Sequence, residues 1–140
     1  MQVCGVEIKG SEAVFALVAL ADGVVSHVPL AVKKLALEDD DEQAHVRAFA
    51  EQLAAFAKGN GLTRIAIKKR GKKGDFAGGP TTFKIEGVFQ LLVDCEVTLI
   101  SAQTMSAQER KHGYVLPDSL NKYQHEAYRA ACALLLKGVK

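Results

Sequence analysis

The residues of this sequence that are best suited to chemistry form a basic run followed by glycines. The run contains five cations, Lys68, Lys69, Arg70, Lys72 and Lys73. Glycines at positions 74, 78 and 79 come next and allow backbone N–H groups to approach a ligand, and a helical pattern begins near Thr81. Cations, glycines and the unpaired N–H groups of a helix start indicate a site for a phosphate or another anion. A solvated basic loop is the alternative interpretation.

This segment is not a nucleoside-triphosphate P-loop. Gly74 and Gly79 have the spacing of the two P-loop glycines, but Pro80 stands where that motif has its phosphate-binding lysine. The prediction is therefore a phosphate-binding surface without a P-loop. Its predicted members are Lys68, Lys69, Arg70, Lys72, Lys73, Gly78, Gly79, Thr81 and Lys84.

The composition is that of a soluble globular protein with a local basic region. The chain has 140 residues, 49% of them hydrophobic and 24% charged, and we expect one domain over residues 1–140. The net charge is only +2 because an acidic run at residues 38–42 offsets the basic run, so a polyanion surface requires local clustering. The sequence shows neither a secretory signal pattern nor a membrane-length apolar run, and its cysteines lack metal-binding spacing. We therefore expect a cytoplasmic protein with reduced thiols and no membrane partner.

Hydrophobic periodicity predicts the order β-β-β-α-β-α-β-α. The predicted strands cover residues 3–8, 13–20, 24–30, 62–67 and 96–100. Helical spacing marks residues 46–57 and 85–92, and a short helix with a capping box at 106–109 precedes a last helix at 120–136. The first three strands predict an antiparallel meander, with Asp22 and Gly23 in a hairpin turn.

This order predicts an α/β fold with a five-stranded mixed sheet and helices on both faces. Helices between the later strands require right-handed crossovers, which place those strands parallel to the first strand. Ligands of such sheets gather at the carboxyl ends of neighbouring parallel strands. If the first and fourth strands are neighbours, Glu7 meets Lys68 and Lys69 there.

Several polar residues have a structural and a functional interpretation. The aspartates at residues 39–41 are favoured as a cap for the next helix over metal ligands, because they lack the pattern of a calcium-binding loop. Tyr123 and Tyr128 are candidates for stacking on bases, although Tyr123 falls on the core-facing side of the predicted last helix. His125 is favoured as a solvent-exposed side chain over a proton-transfer group.

The element order, with an acidic residue late in the first strand, resembles the ribonuclease H-like fold and, within it, the RuvC resolvase branch. The first strand of that branch reads Gly-Ile-Asp before a glycine turn; here it reads Gly5-Val6-Glu7, with Gly10 one position later than usual. The stretches FAGGPTTFKIEGVFQLL and YQHEAYRAACALLL also resemble a small uncharacterised bacterial family placed in this superfamily. The resemblance covers nearly the whole chain at the level of topology. That family has no assigned activity that the resemblance could imply for this chain.

The resemblance also implies a set of site residues. Enzymes of the superfamily use carboxylates on the first strand, at the end of the fourth strand and on the last helix to hold two divalent cations for phosphodiester cleavage. The matching positions here are Glu7, Lys68 or Lys69, and Glu126. An ammonium group repels a metal ion, so we predict a degenerate site in which Lys68 forms a salt bridge with Glu7 or Glu126.

An alternative keeps a metal at this site. Glu7 and Glu126, with the lysine beside them, would then hold one weak Mg²⁺ or Mn²⁺ ion, or Asp75 or Glu86 would join them as a further ligand.

The predicted function is nucleic-acid binding through the phosphate backbone, without efficient catalysis. The first alternative is a Mg²⁺- or Mn²⁺-dependent nuclease for structured nucleic acid, with Glu7, Lys68 and Glu126 as the catalytic candidates. The second alternative is a regulator that binds a nucleotide or a small phosphate-containing ligand. The apolar second and third strands also indicate a homodimer, provided that their edge is open.

Overall fold

The computed structural model describes residues 1–71 and 79–139 of the chain. The predicted binding residues Lys72, Lys73 and Gly78, together with Asp75, lie outside the described residues. The strands are β1 (Gln2–Lys9), β2 (Glu12–Ala21), β3 (Val24–Val28), β4 (Lys34–Ala36), β5 (Arg64–Lys68) and β6 (Glu96–Ile100). The helices are α1 (Gln43–Gly59), α2 (Pro80–Gln90), α3 (Ala102–His112) and α4 (His125–Leu136), with a 3₁₀ turn at Lys122–Gln124 before α4.

The strands form a mixed sheet in the order β3, β2, β1, β5, β6, and the short β4 also pairs with β2. β2 is antiparallel to both of its neighbours β1 and β3, whereas β5 is parallel to both β1 and β6. Asp22 and Gly23 have φ angles of 52° and 77°, which is the conformation of the predicted hairpin turn. The predicted meander and mixed sheet are confirmed, and β4 is an addition that the pattern did not indicate.

The pairing of β2 bears on the predicted dimer. β2 is hydrogen-bonded to β1 on one edge and to β3 and β4 on the other. It therefore cannot offer an edge to a second copy. Of the two strands named for this role, only β3 lies at the end of the sheet.

Helices cover both faces of the sheet, as predicted. α1 and α2 supply Phe49, Phe56 and Phe89 to one buried cluster, which also contains Phe15 of β2. Phe15 and Phe56 stack with their ring centroids 4.1 Å apart. α3 and α4 cover the other face, where Tyr128 is among the buried side chains. Among the described residues, no helix has both the length and the apolar character required to cross a membrane.

α4 lies in close contact with β1 because Gly5 has no side chain. A Cβ atom at Gly5 would lie 1.7 Å from the backbone oxygen of Ala127. Along β1, alternate side chains point to opposite faces, so Glu7 lies on the same face as Gly5. The close approach therefore brings Glu7 next to the first turn of α4, which carries Glu126.

The acidic run does not cap α1. The N-cap of α1 is Glu42, and its side chain makes no capping hydrogen bond. Asp40 instead contacts the first turn of α2: Thr81 Oγ1 donates to Asp40 Oδ2 at 3.0 Å, and Lys84 Nζ donates to the Asp40 backbone oxygen at 2.7 Å. The predicted capping role is wrong because the aspartates precede the helix start, and Asp40 contacts α2 instead.

The last two helices begin at different residues from those predicted. α3 starts at Ala102, and the hydroxyl oxygen of Ser101 accepts a hydrogen bond from the Thr104 N–H at 3.1 Å, so the predicted capping box at residues 106–109 lies inside the helix. Tyr123 lies on the 3₁₀ turn and is 37% exposed, whereas Tyr128 is buried. The core position predicted for Tyr123 is wrong because α4 begins two residues after it. Tyr128 is a core residue and is not available to stack on bases.

Candidate functional site

The carboxyl ends of β1 and β5 bring Glu7 and Lys68 together. The two strands are parallel neighbours with Val6 opposite Ile67, so Glu7 and Lys68 are the next residues along each strand. Both strands are rich in buried apolar residues, which places them in the centre of the sheet and leaves these charged residues at their ends. Lys68 Nζ lies 3.7 Å from Glu7 Oε2.

Glu7 is a buried carboxylate surrounded by cations. Its side chain is 4% exposed, with Lys9 Nζ 3.4 Å from Oε1 and Arg70 Nη2 3.6 Å from Oε2. Arg70 is itself held in place, because its Nη2 donates a hydrogen bond to the backbone oxygen of Ile8 at 3.1 Å. Lys9 compensates the charge of Glu7 without hydrogen-bonding geometry, so Oε1 is buried with no hydrogen-bond partner in the described part of the chain. A buried carboxylate of this kind requires its charge to be compensated nearby.

Lys68 also reaches α4. Its Nζ lies 3.7 Å from Glu126 Oε2, so the ammonium group bridges the carboxylates of β1 and α4. The predicted salt bridge is therefore present, and it involves both glutamates.

Arg129 continues the ion pairs from α4 to α3. Its Nη1 donates hydrogen bonds to both carboxylate oxygens of Glu126, at 3.2 and 3.4 Å, and its Nε donates to Glu109 Oε2 at 2.6 Å. Burial lowers the pKa of the Arg129 guanidinium, but the hydrogen bond to Glu109 and the charge of Glu126 outweigh burial and leave the pKa above its ordinary value. Arg129 is therefore a permanent cation in this position.

These residues form one connected group, which we call the central network. It consists of the cations Lys9, Lys68, Arg70 and Arg129 and the carboxylates Glu7, Glu109 and Glu126. Four cations against three carboxylates leave one net positive charge. The carboxylates of the network are thus compensated by side chains of the protein itself.

A divalent cation does not fit this arrangement. An ion bound by both Glu7 and Glu126 has to lie between their carboxylates, where the Lys68 ammonium lies 3.7 Å from an oxygen of each. Mg²⁺ and Mn²⁺ also require several oxygen ligands and an excess of negative charge, which the central network lacks. Glu86 does not complete a ligand set, because α2 packs on the opposite face of the sheet from α4.

One other group of described residues offers several carboxylates. Oxygen atoms of Asp39, Asp40 and Asp41 lie within 4.8 Å of one another. Asp40 already pairs with Lys84 Nζ at 3.7 Å and accepts a hydrogen bond from Thr81. In this structure the group connects the loop before α1 to the start of α2.

Two cavities share Arg70 as a lining residue. One has a volume of about 440 Å³ and lies between the β1–β2 turn and the start of α2, with Gly79 and Thr81 in its wall. The other has a volume of about 550 Å³ and is lined by Lys68, Lys69 and Arg70 together with residues 101–103 at the start of α3. We call the second one the basic cavity; it lies at the carboxyl ends of β5 and β6.

The predicted phosphate-binding residues separate into those that line a cavity and one that does not. Lys68, Lys69 and Arg70 line the basic cavity, and Gly79 and Thr81 line the smaller one. Lys84 lines neither, because its ammonium group turns to Asp40. Lys69 is exposed and forms no ion pair with any described residue.

Three members of the central network, Lys9, Glu109 and Arg129, are not among the predicted site residues. The sequence pattern indicates a turn at Lys9 and a capping box at Glu109. Lys9 follows Glu7 by two residues and so lies on the same face of β1. This spacing is sufficient to predict that the two side chains are neighbours. Glu109 meets Arg129 only because α3 packs on α4, and no local spacing shows that contact.

Comparison with known proteins places the chain in a family. Its residues 1–134 match the sequence family described as "Protein of unknown function (DUF3010)". The chain belongs to this family. No curated protein matches the DUF3010 chain in sequence.

Solved structures share the fold of the DUF3010 chain at low sequence identity. The structure of Thermus thermophilus RuvC is 10% identical, with a TM-score of 0.73, and the match covers 95% of this chain and 92% of that one. The same protein in complex with a Holliday junction substrate is 11% identical, with a TM-score of 0.68 and the same coverage. The fowlpox virus resolvase in complex with substrate Holliday junction DNA is 14% identical, with a TM-score of 0.57 and full coverage of both chains. The predicted ribonuclease H-like, RuvC-like fold is confirmed, and at such identities the likeness shows the fold alone.

Proposed function

We propose that this chain binds the phosphate backbone of nucleic acid at the carboxyl ends of β1, β5 and β6, and that it does not cleave the bound strand efficiently. The observation that carries the proposal is the basic cavity, in which three consecutive cations, Lys68, Lys69 and Arg70, line a volume of about 550 Å³. The carboxyl ends of parallel strands are where ligands of α/β folds gather.

The charges of this edge support a phosphate ligand. The central network carries one net positive charge, and the exposed Lys69 adds another beside it. Cations that approach phosphates release counterions from the nucleic acid, so binding through such an edge depends steeply on salt and weakly on sequence. The two complexes reported above, of RuvC and of the fowlpox virus resolvase, each contain a Holliday junction substrate, and structured DNA is therefore the first polymer that we propose as a ligand.

The geometry of Lys68 supports binding without efficient cleavage. Phosphodiester cleavage by two metal ions requires carboxylates that face a shared cation. In this chain the ammonium of Lys68 lies between Glu7 and Glu126, and the network has no excess of negative charge. A degenerate site is therefore our proposal, and the metal-dependent nuclease is the less supported alternative.

Fluorescence anisotropy tests the proposal with labelled four-way junctions, duplexes, RNA–DNA hybrids and single strands at about 50 and 200 mM salt. We expect the Lys69→Glu variant to bind about tenfold more weakly at the lower salt concentration and to show a shallower salt dependence. Lys58→Glu is the matched control, because Lys58 is an exposed lysine in the last turn of α1, away from the basic cavity. Equal loss of affinity in both variants, or in neither, would contradict the proposal.

The same samples test for cleavage. Added Mn²⁺ is expected to give no product from any of the four substrates. Product that forms with Mn²⁺ and disappears in the Glu7→Gln variant would instead establish the nuclease.

A second candidate function is the binding of a nucleotide or another small phosphate-containing ligand. The volume of the basic cavity, about 550 Å³, lies within the roughly 300–1,000 Å³ that is usual for small-ligand sites. Calorimetric titration with mononucleotides separates the two candidates. Saturable mononucleotide binding at an affinity that longer strands do not improve would favour the small ligand.

A further inference from the structure

Lys68 differs from a lysine in an ordinary salt bridge because it pairs with two carboxylates, those of Glu7 and Glu126. Its ammonium is 3.7 Å from each of two carboxylates that come from a strand and a helix far apart in sequence. Its side chain is only 19% exposed, so water screens these charges incompletely. A single positive group in contact with both carboxylates is the arrangement that a bound metal ion has.

Glu7 has one carboxylate oxygen without a hydrogen bond in this arrangement. Its Oε1 is buried and has no hydrogen-bond partner in the described part of the chain, although such atoms are nearly always satisfied in folded proteins. The Lys9 ammonium lies 3.4 Å from this oxygen and compensates its charge. A metal ion between Glu7 and Glu126 would have to displace the Lys68 ammonium, which lies 3.7 Å from Oε2 of each carboxylate.

We infer that the Lys68 ammonium substitutes for a divalent cation in the central network, and that replacing Lys68 by aspartate converts the network into a binding site for Mn²⁺ or Mg²⁺. The substitution removes one cation and adds one carboxylate, so the network changes from one net positive charge to one net negative charge. It also gives the ion a third carboxylate, at the end of β5. The inference concerns the metal alone and does not depend on nucleic-acid binding.

Mn²⁺ titration followed by NMR tests the inference, because the paramagnetic ion broadens the amide signals of residues close to it. The amides of Glu7 and Ala127 report the central network, and the amide of Asp40 reports any ion held by the exposed aspartates. In Lys68→Asp we expect broadening at Glu7 and Ala127 at a Mn²⁺ concentration at least about tenfold lower than in the wild type. Broadening at Asp40 is expected to be equal in both proteins.

Two further variants sharpen the test. In the double variant Lys68→Asp, Glu7→Gln, the loss of the β1 ligand should return the broadening at Ala127 to the wild-type level. In Lys68→Gln, which removes the ammonium and adds no ligand, we expect broadening between those of the wild type and Lys68→Asp, together with a rise of Tm when Mn²⁺ is added.

Several results would overturn the inference. One is wild-type broadening at Glu7 that begins at the same Mn²⁺ concentration as in Lys68→Asp. Another is a folded Lys68→Asp protein that shows broadening only at Asp40. If Lys68→Asp does not fold, the result with Lys68→Gln decides, and broadening and Tm identical to those of the wild type would count against the inference.

Discussion

Replacing Gly5 by alanine tests the packing that positions the site. The added Cβ would lie 1.7 Å from the backbone oxygen of Ala127 and 3.0 Å from Cβ of Ala131. The nearer atom belongs to the backbone of α4, so it cannot turn aside as a flexible side chain would, and the helix has to move by more than an ångström. Overpacking of this kind in a core costs typically about 1–3 kcal/mol, and we expect Gly5→Ala near the upper end of that range.

Urea unfolding followed by circular dichroism measures this loss of stability. Gly87→Ala is the matched control: Gly87 lies within α2, and beyond its chain neighbours and its own helix backbone a Cβ there meets no described atom within 4 Å. Alanine is the better helix former, so the control should gain about 0.5–1 kcal/mol. A Gly5→Ala protein within about 0.5 kcal/mol of the wild type, which is the usual range of surface substitutions, would refute the close contact of α4 with β1. It would also remove the reason for placing Glu126 beside Glu7.

Three further outcomes follow from buried groups. Replacing Glu7 by glutamine should lower the free energy of unfolding by about 1–3 kcal/mol. The reason is that the partly exposed cations Lys9, Lys68 and Arg70 lose the buried negative charge with which they pair. Burial raises the pKa of the Cys4 and Cys132 thiols to about 12, and it also raises the pKa of Cys95, but only Cys95 is partly exposed. At pH 8 DTNB should therefore react with only Cys95 in the native protein and with all three cysteines in urea. Burial lowers the pKa of His27, so the unfolded state binds protons at a higher pH than the folded state. The contribution of His27 to the free energy of unfolding should be fully present above about pH 6.5 and should decrease as the pH drops below this value. Urea unfolding at about pH 5.5 and about pH 7.5 would measure this decrease.

Each of these outcomes has a control. Glu12 forms an exposed pair with Lys34, so Glu12→Gln should change stability by less than about 0.5 kcal/mol, and an equal effect of the two glutamates would contradict the role of burial. Cys95→Ser should abolish the native DTNB reaction, and rapid reaction of a second thiol would show that the core thiols are accessible. His27→Gln should flatten the pH dependence, and an unchanged slope would assign it to another group.

Most of the sheet could be predicted from the sequence because its strands carry strong patterns. β1, β2 and β5 are buried apolar runs, and Asp22 and Gly23 supply the turn chemistry that a tight hairpin requires. β4 could not be predicted, because it has three residues, Lys34–Ala36, and gains its structure only by pairing with β2. The predicted start of α3 is wrong because two capping patterns lie within a few residues of each other. The helix begins after Ser101, whose side chain caps it, and not at the capping box of residues 106–109.

The centre of the site could be predicted only in part. The resemblance indicated Glu7, Lys68 and Glu126, and the structure places these three side chains in one network. The contact of Glu109 with Arg129 depends on how two helices pack, which no local pattern shows. The acidic residues at 39–41 had an obvious local role as a helix cap, but the contact of Asp40 with α2 replaced it. Single-domain organisation and a homodimer remain predictions.

The position of β1 in the sheet also has a consequence for the order of folding. On one edge, β1 pairs with its immediate successor β2, and on the other it pairs with β5, which follows only after the whole of α1. The hairpin edge can form early because its contacts are local, whereas the parallel edge must first close a long loop. Glu126 joins Glu7 and Lys68 only where α4 packs against Gly5. A nascent chain that has not yet reached α4 therefore cannot contain the complete central network.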